Sequence, residues 1–106
     1  GILFETGSDK INPQSYGALK EISAVLKENA LLKVKIVGHT DSDGSDVSNL
    51  DLSKRRSAAV KNTLTNDFGV SADRMETDGK GETEPSDKNT TSEAKANNRR
   101  VEFIKQ

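Results

Sequence analysis

The chain has no cysteine and no tryptophan, two prolines, one histidine, and aromatic residues at only 4%. Lack of cysteine excludes disulfides and thiolate metal ligands but leaves the compartment open, because many proteins of oxidising compartments also lack it. The lone histidine, His39, limits acid–base schemes. No apolar run approaches the roughly 20 residues that cross a bilayer, and no signal-peptide pattern is present. A surplus of one charge is missing too. The 16 basic and 17 acidic residues leave a net charge of −1 and a pI near 5.9, so nothing favours nucleic acid or anionic lipid overall, and any binding must be local. Hydrophobic residues are 31% and mean hydropathy is −0.74, yet the small net charge separates the chain from disordered compositions. At 106 residues the expectation is one domain with one lean core and a wet surface. The sequence opens directly in a strand-like run, Ile2-Leu3-Phe4. That start predicts a domain cut from a longer protein whose targeting region lies elsewhere.

What is present reads as alternating strands and helices. Residues 2–4 are a short first strand, followed by the polar turn Glu5-Thr6-Gly7-Ser8. Asn12 and Pro13 are suited to open a helix, and Ala18, Leu19, Ile22, Val25 and Leu26 fall on one face of it up to Asn29. Leu32, Val34 and Ile36 alternate with Lys33, Lys35 and Val37, the period of a strand with one buried face and one largely wet one. A polar loop runs from Gly38 to about Asp51. From about Ser53 a second helix is expected, with Leu52, Ala59, Val60, Leu64 and Phe68 near one face and Gly69 as its C-terminal stop. Residues 75–79 give a weak third strand, 80–97 a long polar loop, and Val101, Phe103 and Ile104 a last strand. The order β-α-β-α-β-(long loop)-β predicts an α/β (α+β) two-layer sandwich, two main helices packed on one face of a mixed sheet.

Residues 38–59 carry the candidate chemistry. Asp41 sits just past a strand end, and Arg55 and Arg56 are read into the first turn of the second helix, where the dipole disfavours cations. Such a misfit points to function. Two arginines at a helix N-terminus make a carboxylate-binding corner, and an aspartate across a short loop supplies the opposite charge, so a zwitterion would match. A purely structural ion-pair cluster is the competing reading. Other chemistries fit poorly. His39, Asp41 and Ser42 lack a nucleophile elbow or oxyanion signature, so catalysis is not expected and His39 is read as structural. The run of oxygen-bearing side chains Asp41, Asp43, Asp46, Asn49 and Asp51 has glycine at the fourth loop position and Leu52 at the twelfth, which does not fit an EF-hand and predicts an acidic surface loop without metal. Gly79-Lys80-Gly81 lacks the third glycine of a dinucleotide fingerprint and reads as a turn.

Ile36-Val37-Gly38-His39-Thr40-Asp41 with Gly44, then Asn49, Leu52-Ser53 and Arg55-Arg56, then Arg74, Gly79, Gly81, Glu82 and Pro85, and finally Asn98-Arg99-Arg100-Val101, occur in an order and spacing that is specific. The pattern resembles the OmpA C-terminal-domain family, the module shared by OmpA-type porins, Pal lipoproteins and MotB stator proteins, and covers nearly all of residues 1–106. The resemblance implies a periplasmic, peptidoglycan-binding domain of an outer-membrane or envelope-anchored protein. It implies non-covalent binding of the diaminopimelate residue in the stem peptide, without turnover or cofactor. The family's key aspartate and arginine fall on Asp41 and Arg56. Phe4, Glu5, Thr6, Gly7, Thr40, Asn49 and Leu52 border the same pocket, and Arg99 and Arg100 are carried over less firmly. A periplasmic protein–protein module of the Pal and TolB kind is the alternative. Contact with a membrane would come only through a region upstream. Two departures stand out: Ser57 replaces a small apolar residue, and Ala94-Lys95 replaces a glycine-arginine pair.

Overall fold

Strand β1 (Val34–His39) pairs on both sides, parallel with β2 (Met75–Gly81) and antiparallel with β3 (Val101–Lys105), giving the order β2-β1-β3. The structure is a computed structural model in which residues 2–5, 7–40, 46–81 and 101–106 are described. Helices α1 (Tyr16–Glu28) and α2 (Asp46–Asn66) lie on one face of this mixed sheet. Leu19 and Leu26 of α1, Val60 and Leu64 of α2, Val34 and Ile36 of β1, and Met75 of β2 form the core, joined by Ile2, Ile11 and Val70. The two-layer sandwich predicted from the sequence is therefore present.

Local signals explain the ends of α1. Asn12 Oδ1 accepts from Gln14 N at 3.0 Å, and Pro13 opens a short 3-10 turn that leads into the helix. At its other end the Arg74 guanidinium reaches from the turn before β2 to the carbonyl oxygens of Leu26, Asn29 (2.7 Å) and Leu32 (3.0 Å). A cation there satisfies carbonyls that the helix leaves without partners. Gly69 does mark the end of α2: it takes φ +73°, and Val70 N donates back to Leu64 O.

Several expectations need correction. Residues 2–4 form no ladder strand; Phe4 makes one isolated antiparallel bridge to Ile11. Val25 is exposed, because Leu19, Ser23 and Leu26 define the inner stripe of α1. The outer face of β1 is not wet. Val37 and His39 are buried, since a central strand is shielded by both neighbours and Val37 lies between Asp78 and Glu102. Gly79-Lys80-Gly81 is not a turn but the end of β2, with a register shift that leaves Lys80 as the extra residue opposite β1. Most consequentially, α2 starts at Asp46, not near Ser53. Its first turns are rich in Ser, Asp and Asn, which favour loops in isolation, and tertiary packing overrides that preference.

Candidate ligand-binding site

Glycines in β1 and β2 let the first turns of α2 lie close against the sheet. Gly38 and Gly79 face each other across the β1–β2 ladder, and α2 rests directly on both. A Cβ on Gly38 would meet the Ser53 backbone, with Ser53 C at 3.0 Å. One on Gly79 would lie 2.5 Å from Lys54 N. Gly81, at φ +56°, lies under Asn49 and Leu50. Ser53, fully buried, joins these pieces: its Oγ accepts from Gly81 N at 2.9 Å and donates to Leu50 O at 2.8 Å. Thr40, also buried, donates its N–H to Gly81 O at 2.8 Å, which fixes the chain where it leaves β1 toward Asp41.

The inner stripe of α2 therefore has two halves. Val60 and Leu64 carry it into the core, while Asn49, Ser53, Arg56 and Ser57 continue the same helical spacing toward the strand ends and are all buried. Ser57 fits because its Oγ donates to Lys54 O at 2.9 Å, so the hydroxyl is satisfied at that position. Leu52, beside the stripe, is half-buried.

Arg56 is the chemically distinctive member, only 5% exposed. Its Nε donates to Ser8 O at 3.0 Å and its guanidinium lies over the Phe4 ring, 5.0 Å from the centroid. The turn that supplies both contacts is braced internally. Glu5 N donates to Lys10 O and Ser8 N to Glu5 O, each at 3.0 Å, Gly7 takes φ +66°, and Glu5 pairs with Lys10 at 3.8 Å. Arg55 points elsewhere, toward Asp51 (2.8 Å) and Asp9 (3.5 Å), and is 48% exposed. Asp51, chiefly by its hydrogen bond, and then Asp9 raise the Arg55 pKa.

The helix dipole does not act against the arginines, contrary to expectation. Both stand roughly two and a half turns inside α2, so the N-terminal N–H groups are not at their side. What singles out Arg56 is burial. The structure brings Arg56 together with Phe4 and the turn containing Glu5 and Gly7, and places Thr40 and Asn49 at the strand end of the same polar seam. Asp41, Thr6, Arg99 and Arg100 lie outside the described residues, as do the acidic residues Asp43 and Glu82 and the Ala94-Lys95 departure.

His39 is buried, with Nε2 3.6 Å from Glu102 Oε2, in keeping with a structural role. No cluster of metal-ligating side chains occurs among the described residues. Sequence reasoning missed Ser8, whose backbone carbonyl has no sequence signature. It takes Ser53 as a helix start and as part of the family pattern but not as a member of the buried stripe, although the period of Val60 and Leu64, run backwards, passes through Ser53, Arg56 and Asn49.

Comparison with known proteins agrees with this fold. The sequence model of the OmpA family matches residues 3–99. Outer membrane porin F of Pseudomonas aeruginosa is 38% identical over 101 residues, covering 95% of this chain and 29% of that protein. The peptidoglycan-binding protein ArfA of Mycobacterium bovis is 35% identical over 103 residues, 97% of this chain and 31% of that protein. Among solved structures, the peptidoglycan-associated lipoprotein of Burkholderia pseudomallei superposes with a TM-score of 0.92 at 28% identity, covering 99% of this chain and 88% of that one. The chain thus spans about a third of the length of the two curated relatives.

Proposed function

Since the chain belongs to the OmpA family, we propose that residues 1–106 form a domain that binds peptidoglycan non-covalently in the periplasm and ties an outer-membrane or envelope-anchored protein to the wall. The ligand is the free amino-acid end of diaminopimelate in the stem peptide. Its ammonium is taken by Asp41 and its carboxylate by Arg56, with the turn around Thr6 and Gly7 closing one side and Arg99 and Arg100 nearby. The reaction is recognition without turnover. Support comes from one observation above all: a nearly buried guanidinium, held in orientation by a backbone carbonyl and an aromatic face, within a polar helix stripe. Arginine suits carboxylate because its planar donors match two oxygens at once.

Charge-assisted hydrogen bonds contribute about 1.5–3 kcal/mol each, so two or three give micromolar to millimolar binding to a single stem. Firm anchoring then comes from many domains on one polymer, through effective concentration. The deciding experiment is sedimentation with insoluble peptidoglycan. Asp41→Ala and Arg56→Ala should each abolish pelleting while the circular dichroism spectrum stays folded; unfolding in both would make the pair structural. Walls with lysine in place of diaminopimelate lack the distal carboxylate and should bind markedly less. Equal binding would remove Arg56 from the role of carboxylate partner and favour a protein-docking module.

A further inference from the structure

We infer that Arg55 is a positioning residue for this site, clasping the turn at residues 5–10 onto α2 so that the carbonyl of Ser8 and the ring of Phe4 stay seated on Arg56. The inference rests on the binding role proposed for Arg56 and adds a residue that does not itself meet the ligand. Two consecutive residues of the helix grip two consecutive residues of the turn by different means. Arg56 Nε donates to Ser8 O at 3.0 Å in a part-buried contact, while Arg55 Nη1 stands 3.5 Å from Asp9 Oδ2 at the surface. Asp51, one helical turn before Arg55, fixes the guanidinium through Nε at 2.8 Å, so the other edge is aimed at Asp9.

The turn is tied together internally. Lys10 N donates to Ser8 Oγ at 3.0 Å, Glu5 N donates to Lys10 O, and Phe4 bridges to Ile11, so the segment from Phe4 to Ile11 is closed on itself. Releasing Asp9 therefore loosens Ser8 O and the Phe4 ring together, and both of these orient the Arg56 guanidinium. Exposed ion pairs contribute little to global stability. The clasp should accordingly register in the orientation of one side chain rather than in the melting temperature.

The test uses the chain as it stands, with a soluble stem-peptide fragment ending in meso-diaminopimelate as probe. Arg55→Gln and Asp9→Asn should each weaken binding about three- to tenfold, with the melting temperature within about 2 °C of the parent. The double variant should bind no worse than either single one, because both remove the same contact. Arg55→Lys, which can still reach Asp9, should recover most of the affinity. A second readout is independent of the wall: in nitrogen-15 spectra, exchange of the Arg56 Nε–H with water should accelerate in Arg55→Gln. Unchanged Nε–H exchange, strictly additive single effects, or faster exchange with unchanged affinity would each overturn the clasp. Failure of the parent chain to bind the fragment at all would instead overturn the wall-binding role, and the exchange measurement would still judge the contact.

Discussion

A single methyl group placed between β1 and α2 should disturb both the fold and the site. At Gly38 the new Cβ would stand 3.0 Å from Ser53 C and 3.3 Å from Ser53 Cα, with the Ser53 carbonyl oxygen nearer still. At Gly79 it would stand 2.5 Å from Lys54 N and 2.7 Å from Lys54 Cγ. Ordinary contacts of this type lie at roughly 3.5–4 Å, so the helix must lift by about 1 Å; at Gly38 the obstacles are all backbone atoms that no rotamer change removes, and at Gly79 the Lys54 backbone N is joined by the side-chain atoms Ser53 Oγ and Lys54 Cγ. Overpacking of this kind costs about 1–3 kcal/mol, and the backbone obstruction places these sites at the upper end. For a domain of this size each kcal/mol is worth about 4–8 °C, so Gly38→Ala and Gly79→Ala should melt about 10–25 °C below the parent. Gly17→Ala is the control. Gly17 lies in the first turn of α1, where an added Cβ would have nothing within 4 Å, and alanine there should gain up to about 1 kcal/mol from helix propensity. Thermal melts followed by circular dichroism decide the matter, with peptidoglycan pelleting of the folded fraction as a second measure. If both β-strand variants melt within about 2 °C of the parent, α2 is not seated on the glycines and the polar stripe needs another origin.

Arg74→Ala removes the guanidinium from the carbonyls of Leu26, Asn29 and Leu32, at the end of α1 and in the connector to β1, and should destabilise by about 1.5–3 kcal/mol, read as a lower denaturant midpoint at unchanged slope. Asp78 carries an acid-range prediction. Its carboxyl accepts from Gly79 N and faces Lys80 (3.3 Å) and Lys35 (3.7 Å), and the Gly79 hydrogen bond, followed by the lysines, holds its pKa below the ordinary value. A carboxyl depressed on folding stabilises above its unfolded pKa, and that contribution is lost as pH falls through the lower folded value. Asp78→Asn should therefore lose stability at neutral pH and show a shallower decline than the parent below about pH 4, measured as melting temperature against pH.

Element order and the layer architecture were legible from apolar spacing, because Leu19, Leu26, Val34, Ile36, Val60 and Leu64 repeat at the periods of the elements they occupy. The start of α2 was not. Its first turns bury Asn49, Ser53 and Arg56 against glycines, so the stripe exists but its members are polar, and hydropathy cannot see a contact made of hydrogen bonds and close approach. The same blindness hid the meaning of Gly79 and Gly81, which look like turn residues until a helix is laid across them. Arg56 was picked out through resemblance, whereas the physical reason offered for it, a cation at a helix N-terminus, rested on the misplaced boundary. Its actual holder, the Ser8 carbonyl, belongs to the backbone and could not be inferred from any side-chain pattern.

The central position of β1 has a consequence for how the domain comes into being. Its two partners lie roughly 40 and 70 residues further along the chain, so neither pairing is local, and high contact order of this kind slows folding. A ribosome or translocon that has delivered β1 has delivered an open template with both edges bare. The antiparallel partner arrives only after residues 82–100 have been made and passed through. The sheet is completed only when β3 arrives, and until then one edge of β1 is open to pairing with foreign strands.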